Sequence, residues 1–100
     1  MAAPPVNELI HQPTRLKIMA TLNSLRGTAK LEFTELRKLL DVTDGNLGTH
    51  LVTLENAGYV EIEKTFVGKK PRTRVSLTRA GRLAFDTHVQ YLRDIIHASG

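Results

Sequence analysis

Residues 43–58 read Thr43-Asp44-Gly45-Asn46-Leu47-Gly48-Thr49-His50-Leu51-Val52-Thr53-Leu54-Glu55-Asn56-Ala57-Gly58. At the helical rotation of about 100° per residue, Leu47, Leu51 and Leu54 fall on one narrow stripe. Gly45, Thr49, Val52, Thr53 and Asn56 lie opposite, with Asn46 and His50 at one flank. The pattern predicts a helix with one apolar face and one face of small and polar groups. A core helix would not gather glycine, threonine, asparagine and histidine, and an ordinary surface helix would carry Lys and Glu there, which are better helix formers. The outer face is therefore suited to close approach by another molecule.

Upstream, Ile18, Leu22 and Leu25 recur at i, i+4 and i+7, flanked by Leu16 and Met19, with Pro13 in the first turn where a helix tolerates it. This predicts a helix over residues 13–25, stopped by Arg26-Gly27-Thr28. A short helical turn over 6–10 with Asn7 as its cap precedes it, and residues 1–5, with two prolines, offer nothing to pack. Leu31-Glu32-Phe33 reads as a short edge strand. Thr34 can cap the next helix, over 34–40, whose stripe is Leu36, Leu39 and Leu40. Only a few residues separate it from the helix that Thr43 or Asp44 caps, so the two make a helix-turn-helix. In that arrangement the first helix braces the second, which can enter a DNA major groove.

Downstream, Gly58 stops the helix, and the chain then alternates. Val60 and Ile62 take one face and Glu61 and Glu63 the other; past Gly68-Lys69-Lys70-Pro71, Thr73, Val75 and Leu77 alternate with Arg72, Arg74 and Ser76. This predicts a hairpin with a cationic tip, turned at Gly68 and stiffened by Pro71. Residues 64–82 hold seven basic groups (Lys64, Lys69, Lys70, Arg72, Arg74, Arg79 and Arg82) and no acid, whereas the rest of the chain, with seven basic and ten acidic groups, is at −3. A basic segment on a slightly acidic body is the footprint of a polyanion binder, the alternative being a solvated charged hairpin.

Thr78 can cap a last helix reaching residue 98, about 30 Å long. Phe85, Val89, Leu92 and Ile96 recur at i, i+4, i+7 and i+11, with Ile95 beside them. That stripe is longer than so small a body can cover. It predicts dimerisation through residues 79–98, with Phe85, Val89, Leu92, Ile95 and Ile96 at a two-fold interface, unless the helix folds back on its own core.

One hundred residues suit one small domain, 1–100. No apolar run approaches the roughly 18 residues of a membrane span, and the start has no signal-peptide character, which fits a cytoplasmic address. The chain has no cysteine, excluding disulfides and thiolate-ligated zinc. Ser24, Ser76 and Ser99 lie in no Gly-x-Ser-x-Gly context and no phosphate-binding glycine loop is present, so the chain is read as a non-enzyme with no catalytic residues and no cofactor. Asp86-x-His88, Asp94 and His97 suggest a metal switch, but His88 and His97 are nine residues apart and point to different sides of one helix, so they read as polar groups on a solvated face and no metal site is assigned.

The order helix, short strand, helix, helix, two-stranded wing and long C-terminal helix predicts a mainly α fold with a small β-hairpin, the winged helix-turn-helix. Gln12-Pro13-Thr14-Arg15-Leu16-Lys17-Ile18, Phe33-Thr34-Glu35-Leu36, Asp44-Gly45-Asn46-Leu47-Gly48-Thr49-His50-Leu51, Leu54-Glu55-Asn56-Ala57-Gly58-Tyr59-Val60, the wing Gly68-Lys69-Lys70-Pro71-Arg72-Thr73 and the exit Leu77-Thr78-Arg79-Ala80-Gly81-Arg82 resemble the small winged-helix transcriptional regulators of the MarR and ArsR type. The resemblance implies a homodimer on pseudo-palindromic double-stranded DNA, with the third helix in the major groove and the wing on the backbone or minor groove. Carried over, Asn46, Thr49, His50 and Thr53 face the bases, and Thr43, Asp44 and Gly45 mark the entry near the phosphates. Lys64, Lys69, Lys70, Arg72 and Arg74 would neutralise phosphates. Asp44 departs from an attractive surface and is better read as a cap. In metal-sensing relatives the last helix carries a second ligand pair, which fails here because Gly100 stands three residues past His97. The expected function is a sequence-selective regulator that represses by occupying a promoter, with room for a small-molecule effector. The alternatives are a winged helix used for protein docking, or an effector- or metal-gated sensor form of the same regulator.

Overall fold

In the computed structural model, which describes residues 6–25 and 29–98, four of the five helices begin on a side chain that accepts from an otherwise free N–H. Asn7 caps α1 (Glu8–His11) through Ile10 N–H, 3.1 Å, and Gln12 caps α2 (Pro13–Asn23) through Arg15 N–H, 2.8 Å. After β1 (Leu31–Glu32) comes α3 (Phe33–Leu40), and the N–H of Asn46 donates to Thr43 Oγ1, 3.1 Å, to open α4 (Asp44–Asn56). Strands β2 (Val60–Val67) and β3 (Lys70–Leu77) form the hairpin, and Gly81 N–H donates to Thr78 Oγ1, 2.9 Å, at the start of α5 (Arg79–Ala98). The expected unpacked start at 1–5 and the helix stop at 26–28 lie outside the described residues.

Two local expectations are corrected. Thr34 is not a cap: α3 starts one residue earlier, at Phe33, after Glu32, which makes no capping bond. Phe33 is thereby drawn out of the edge strand, because its ring packs against the core from the first turn of the helix. The hairpin turn is also tighter than expected. Val67 pairs with Lys70, leaving Gly68 and Lys69 as a two-residue loop with Gly68 at φ 65, a conformation glycine adopts without a Cβ penalty. Pro71 sits inside β3 opposite Phe66, and is tolerated because β1 reaches only Val75 and Arg74 on β3's other edge.

The core gathers Ile18, Met19 and Leu22 of α2, Leu36 of α3, Leu47, Leu51 and Leu54 of α4, and Val60 and Val75 of the hairpin, with Ile10 and Phe85 closing its ends. Each leucine of the α4 stripe is buried, contributing about 1.5–3 kcal/mol as an upper estimate, so that stripe orients the whole helix. Between α3 and α4, Asp41 takes a left-handed conformation (φ 53), which a short polar side chain tolerates, and the chain turns within residues 41–43. The sheet order β1-β3-β2 then anchors the base of the hairpin to α2 and α4 while its tip extends outward.

Candidate nucleic-acid interface

With its leucines buried, α4 must present the opposite face to solvent. Gly45, Asn46, Thr49, Val52 and Asn56 are exposed, and Thr53 is half-buried. Thr49 Oγ1 donates to Gly45 O (2.9 Å) and Thr53 Oγ1 to Thr49 O (3.2 Å), so both hydroxyls spend their proton on their own helix and turn acceptor lone pairs outward. The Asn46 amide takes no partner among the described residues and keeps both donors and its acceptor. A methyl group at Gly45 or Gly48 would meet nothing within 4 Å, so these glycines keep the face low and are not required by packing. Asp44, expected as a cap, is instead the first residue of α4, because Thr43 takes the capping position, and its carboxylate forms an ion pair with Arg37 of α3, 3.0 Å from Nε. Arg37 therefore offsets the charge that would oppose a phosphate there.

His50 sits half-buried at the flank, where Arg15 of α2 places its Nη1 3.2 Å from Nδ1. Burial, and then the charge of Arg15, hold the imidazole pKa below its ordinary 6.5. Arg15 and Arg37 belong to helices other than α4, and nothing in the spacing of residues 43–58 could have pointed to either.

The hairpin stands beside α4. Gly48, Leu51 and Val52 of the helix, Ile62, Lys64 and Thr73 of the wing, and Phe33 of α3 line one open groove. The wing cations are not all free, as their sequence segment suggested. Arg72 Nε donates to Glu32 (2.7 Å), and Glu63 is clamped between Lys30 and Arg74, whose contacts hold its carboxyl below the ordinary range, Lys30 first. Lys64, Lys69 and Lys70 are exposed and make no ion pair among the described residues. Exposed pairs of the Arg72–Glu32 kind are worth about 0–1 kcal/mol, so Arg72 can exchange its partner for a stronger anion at small cost. Phe66 and Val67, exposed at the tip, were not singled out by the sequence pattern.

The apolar stripe of α5 divides. Phe85, expected at a dimer interface, is buried in the chain's own core, and Val89 packs against that core. Leu92 is half-buried, and Ile95 and Ile96 are exposed. The stripe therefore begins on the body and runs off it. His88, expected on a solvated face, is 1% exposed; its Nε2 lies 3.3 Å from His11 Nδ1, its ring stacks on Tyr91, and its Nδ1 has no partner among the described residues. The one-turn helix α1 supplies the cover that the sequence of α5 could not reveal. No group of three or more His, Asp or Glu among the described residues is placed to hold a metal ion. No described helix is long and apolar enough to cross a membrane.

A three-helix core with a helix-turn-helix, a small antiparallel sheet and a protruding hairpin defines the winged-helix class. A family model described as a winged helix DNA-binding domain matches residues 14–96, and the chain belongs to that family. It is 35% identical over 82 residues to an uncharacterised protein of Methanocaldococcus jannaschii, covering 82% of this chain and 86% of that one. A solved structure described as a transcriptional regulator homologue from Pyrococcus horikoshii OT3 superposes with a TM-score of 0.83 at 33% identity, over 92% of this chain and 88% of that one. A MarR-family putative transcriptional regulator of Enterococcus faecalis V583 superposes with a TM-score of 0.70 at 25% identity, over 91% and 76%.

Proposed function

We propose that the chain is a sequence-selective double-stranded DNA-binding regulator that acts in the cytoplasm as a homodimer and represses by occupying a promoter. Residues 1–100 form its winged-helix unit, and α5 supplies the dimer contact. The observation that carries this reading is the α4 outer face, low, polar and clear of the body, standing beside a hairpin whose lysines are unpaired. Asn46 donates and accepts at an adenine edge, Thr49 and Thr53 present acceptors, and the exposed Val52 suits a thymine methyl. Lys64, Lys69 and Lys70, joined by Arg72, neutralise phosphates and supply affinity without sequence information. Arg74, held by Glu63, stiffens the wing and contributes less charge.

Selection of bound duplexes from a random pool tests the reading. The expected product is a palindrome whose half-sites are about 10 base pairs, or a multiple of that, from centre to centre. Recovery of no enriched sequence, together with no salt-dependent binding to random duplex, would instead favour use of the winged helix for protein docking.

A further inference from the structure

The contact between Arg15 and His50 has a chemical consequence that follows from what a guanidinium can do. Arginine has donors only and does not deprotonate in a protein. The nitrogen of His50 that faces it, Nδ1 at 3.2 Å from Arg15 Nη1, must therefore be the acceptor. An accepting Nδ1 carries no proton, so the ring is neutral and its single N–H is on Nε2. Arg15 is itself held in place: its Nε donates to the carbonyl of Leu9, and its own backbone N–H is bound by the Gln12 cap. The donor is thus fixed between α1 and α2 before any ligand arrives. His50 Nε2 takes no partner among the described residues and is not buried.

We infer that Arg15 is a positioning residue that sets His50 as an Nε2–H donor, so that the recognition helix selects at that point for a base edge offering an acceptor. In the major groove that means guanine N7 or O6, adenine N7 or thymine O4, while cytosine, which presents its N4 donor, is rejected. A histidine without such a partner is ambiguous, since either tautomer or the cation presents a different pattern. Burial and the Arg15 charge, which disfavour the imidazolium, act in the same direction as the hydrogen bond. The inference rests on the DNA-binding reading for the base preference, but the tautomer does not depend on DNA.

Long-range proton–nitrogen NMR of the full chain, free in solution above pH 7, reads the tautomer directly. The expected spectrum shows His50 with an unprotonated Nδ1 and a protonated Nε2, and Arg15→Met, which keeps the stem but has no donor, shows a mixture of the two forms. A wild-type His50 protonated at Nδ1, or a folded Arg15→Met with an unchanged spectrum, would overturn the assignment. If Arg15→Met does not fold, Arg15→Leu, which likewise has no donor, replaces it, and the wild-type spectrum by itself still decides which nitrogen carries the proton. Duplex selection is then run with both proteins. The wild type is expected to exclude cytosine at one position of each half-site, and the variant to accept it there at least tenfold more often. Identical base preferences would refute the selective role while leaving DNA binding intact. If neither protein selects or binds duplex, the DNA-binding reading and the base preference fall together, and the NMR result still decides the tautomer.

Discussion

At the scale of single residues, the proposed interface separates side chains with unspent polar groups from side chains held by partners. Asn46 has an unspent amide, and Asn46→Ala is expected to lose about 1–3 kcal/mol on the selected duplex and almost nothing on random DNA, as read by competition gel shifts. Equal losses on both would show that Asn46 touches only backbone. His88 is held differently. Its buried ring, with His11 beside it, has a pKa below 6.5, so the unfolded chain takes up a proton before the folded one does. Its stabilising share is present in full above pH 6.5 and is lost as pH falls through the lowered folded-state value; His50 acts in the same sense. Urea midpoints should therefore drop between pH 7 and 5, and His88→Gln should remove part of that slope. A flat wild-type profile would mean that His88 is hydrated or already charged in the fold.

At the scale of elements, the start of α5 lies directly against the backbone that joins α4 to β2. Thr78 N–H donates to Tyr59 O (3.0 Å), and a Cβ at Gly81 would lie 2.0 Å from that same oxygen. Gly81→Ala should thus destabilise the fold by about 1–3 kcal/mol, even though alanine is the better helix former. An unchanged denaturation midpoint would show that α5 can shift away from β2 freely. In the wing, Lys70 is unpaired, and Lys70→Ala should weaken binding to all duplexes alike and reduce the slope of log affinity on log salt by about one. The helix-turn-helix was legible in the sequence because its leucine spacing and its cap at Thr43 are local signals. Arg37 at Asp44 was not, because that partner comes from the preceding helix and is set by the left-handed turn at Asp41.

At the scale of the molecule, the chain is elongated, with extents of 54 × 25 × 22 Å. Ile96, at 66% exposure, continues a stripe whose first member is buried, which is the geometry a second copy would complete. Ile96→Glu should shift the sedimentation of the chain to that of a monomer with little change in its own unfolding free energy at low concentration. A dimer that survives this change would have to be built on another surface. The sequence by itself determined the order of elements, the buried face of α4 and the position of the basic segment, because hydrophobic period, caps and charge are written residue by residue. Only the tertiary structure decided which wing cations are spent on Glu32 and Glu63, that His88 and Phe85 turn inward, and that Arg15 reaches His50. Each of these depends on packing between elements far apart in the chain, and no local pattern encodes which distant side chain will arrive.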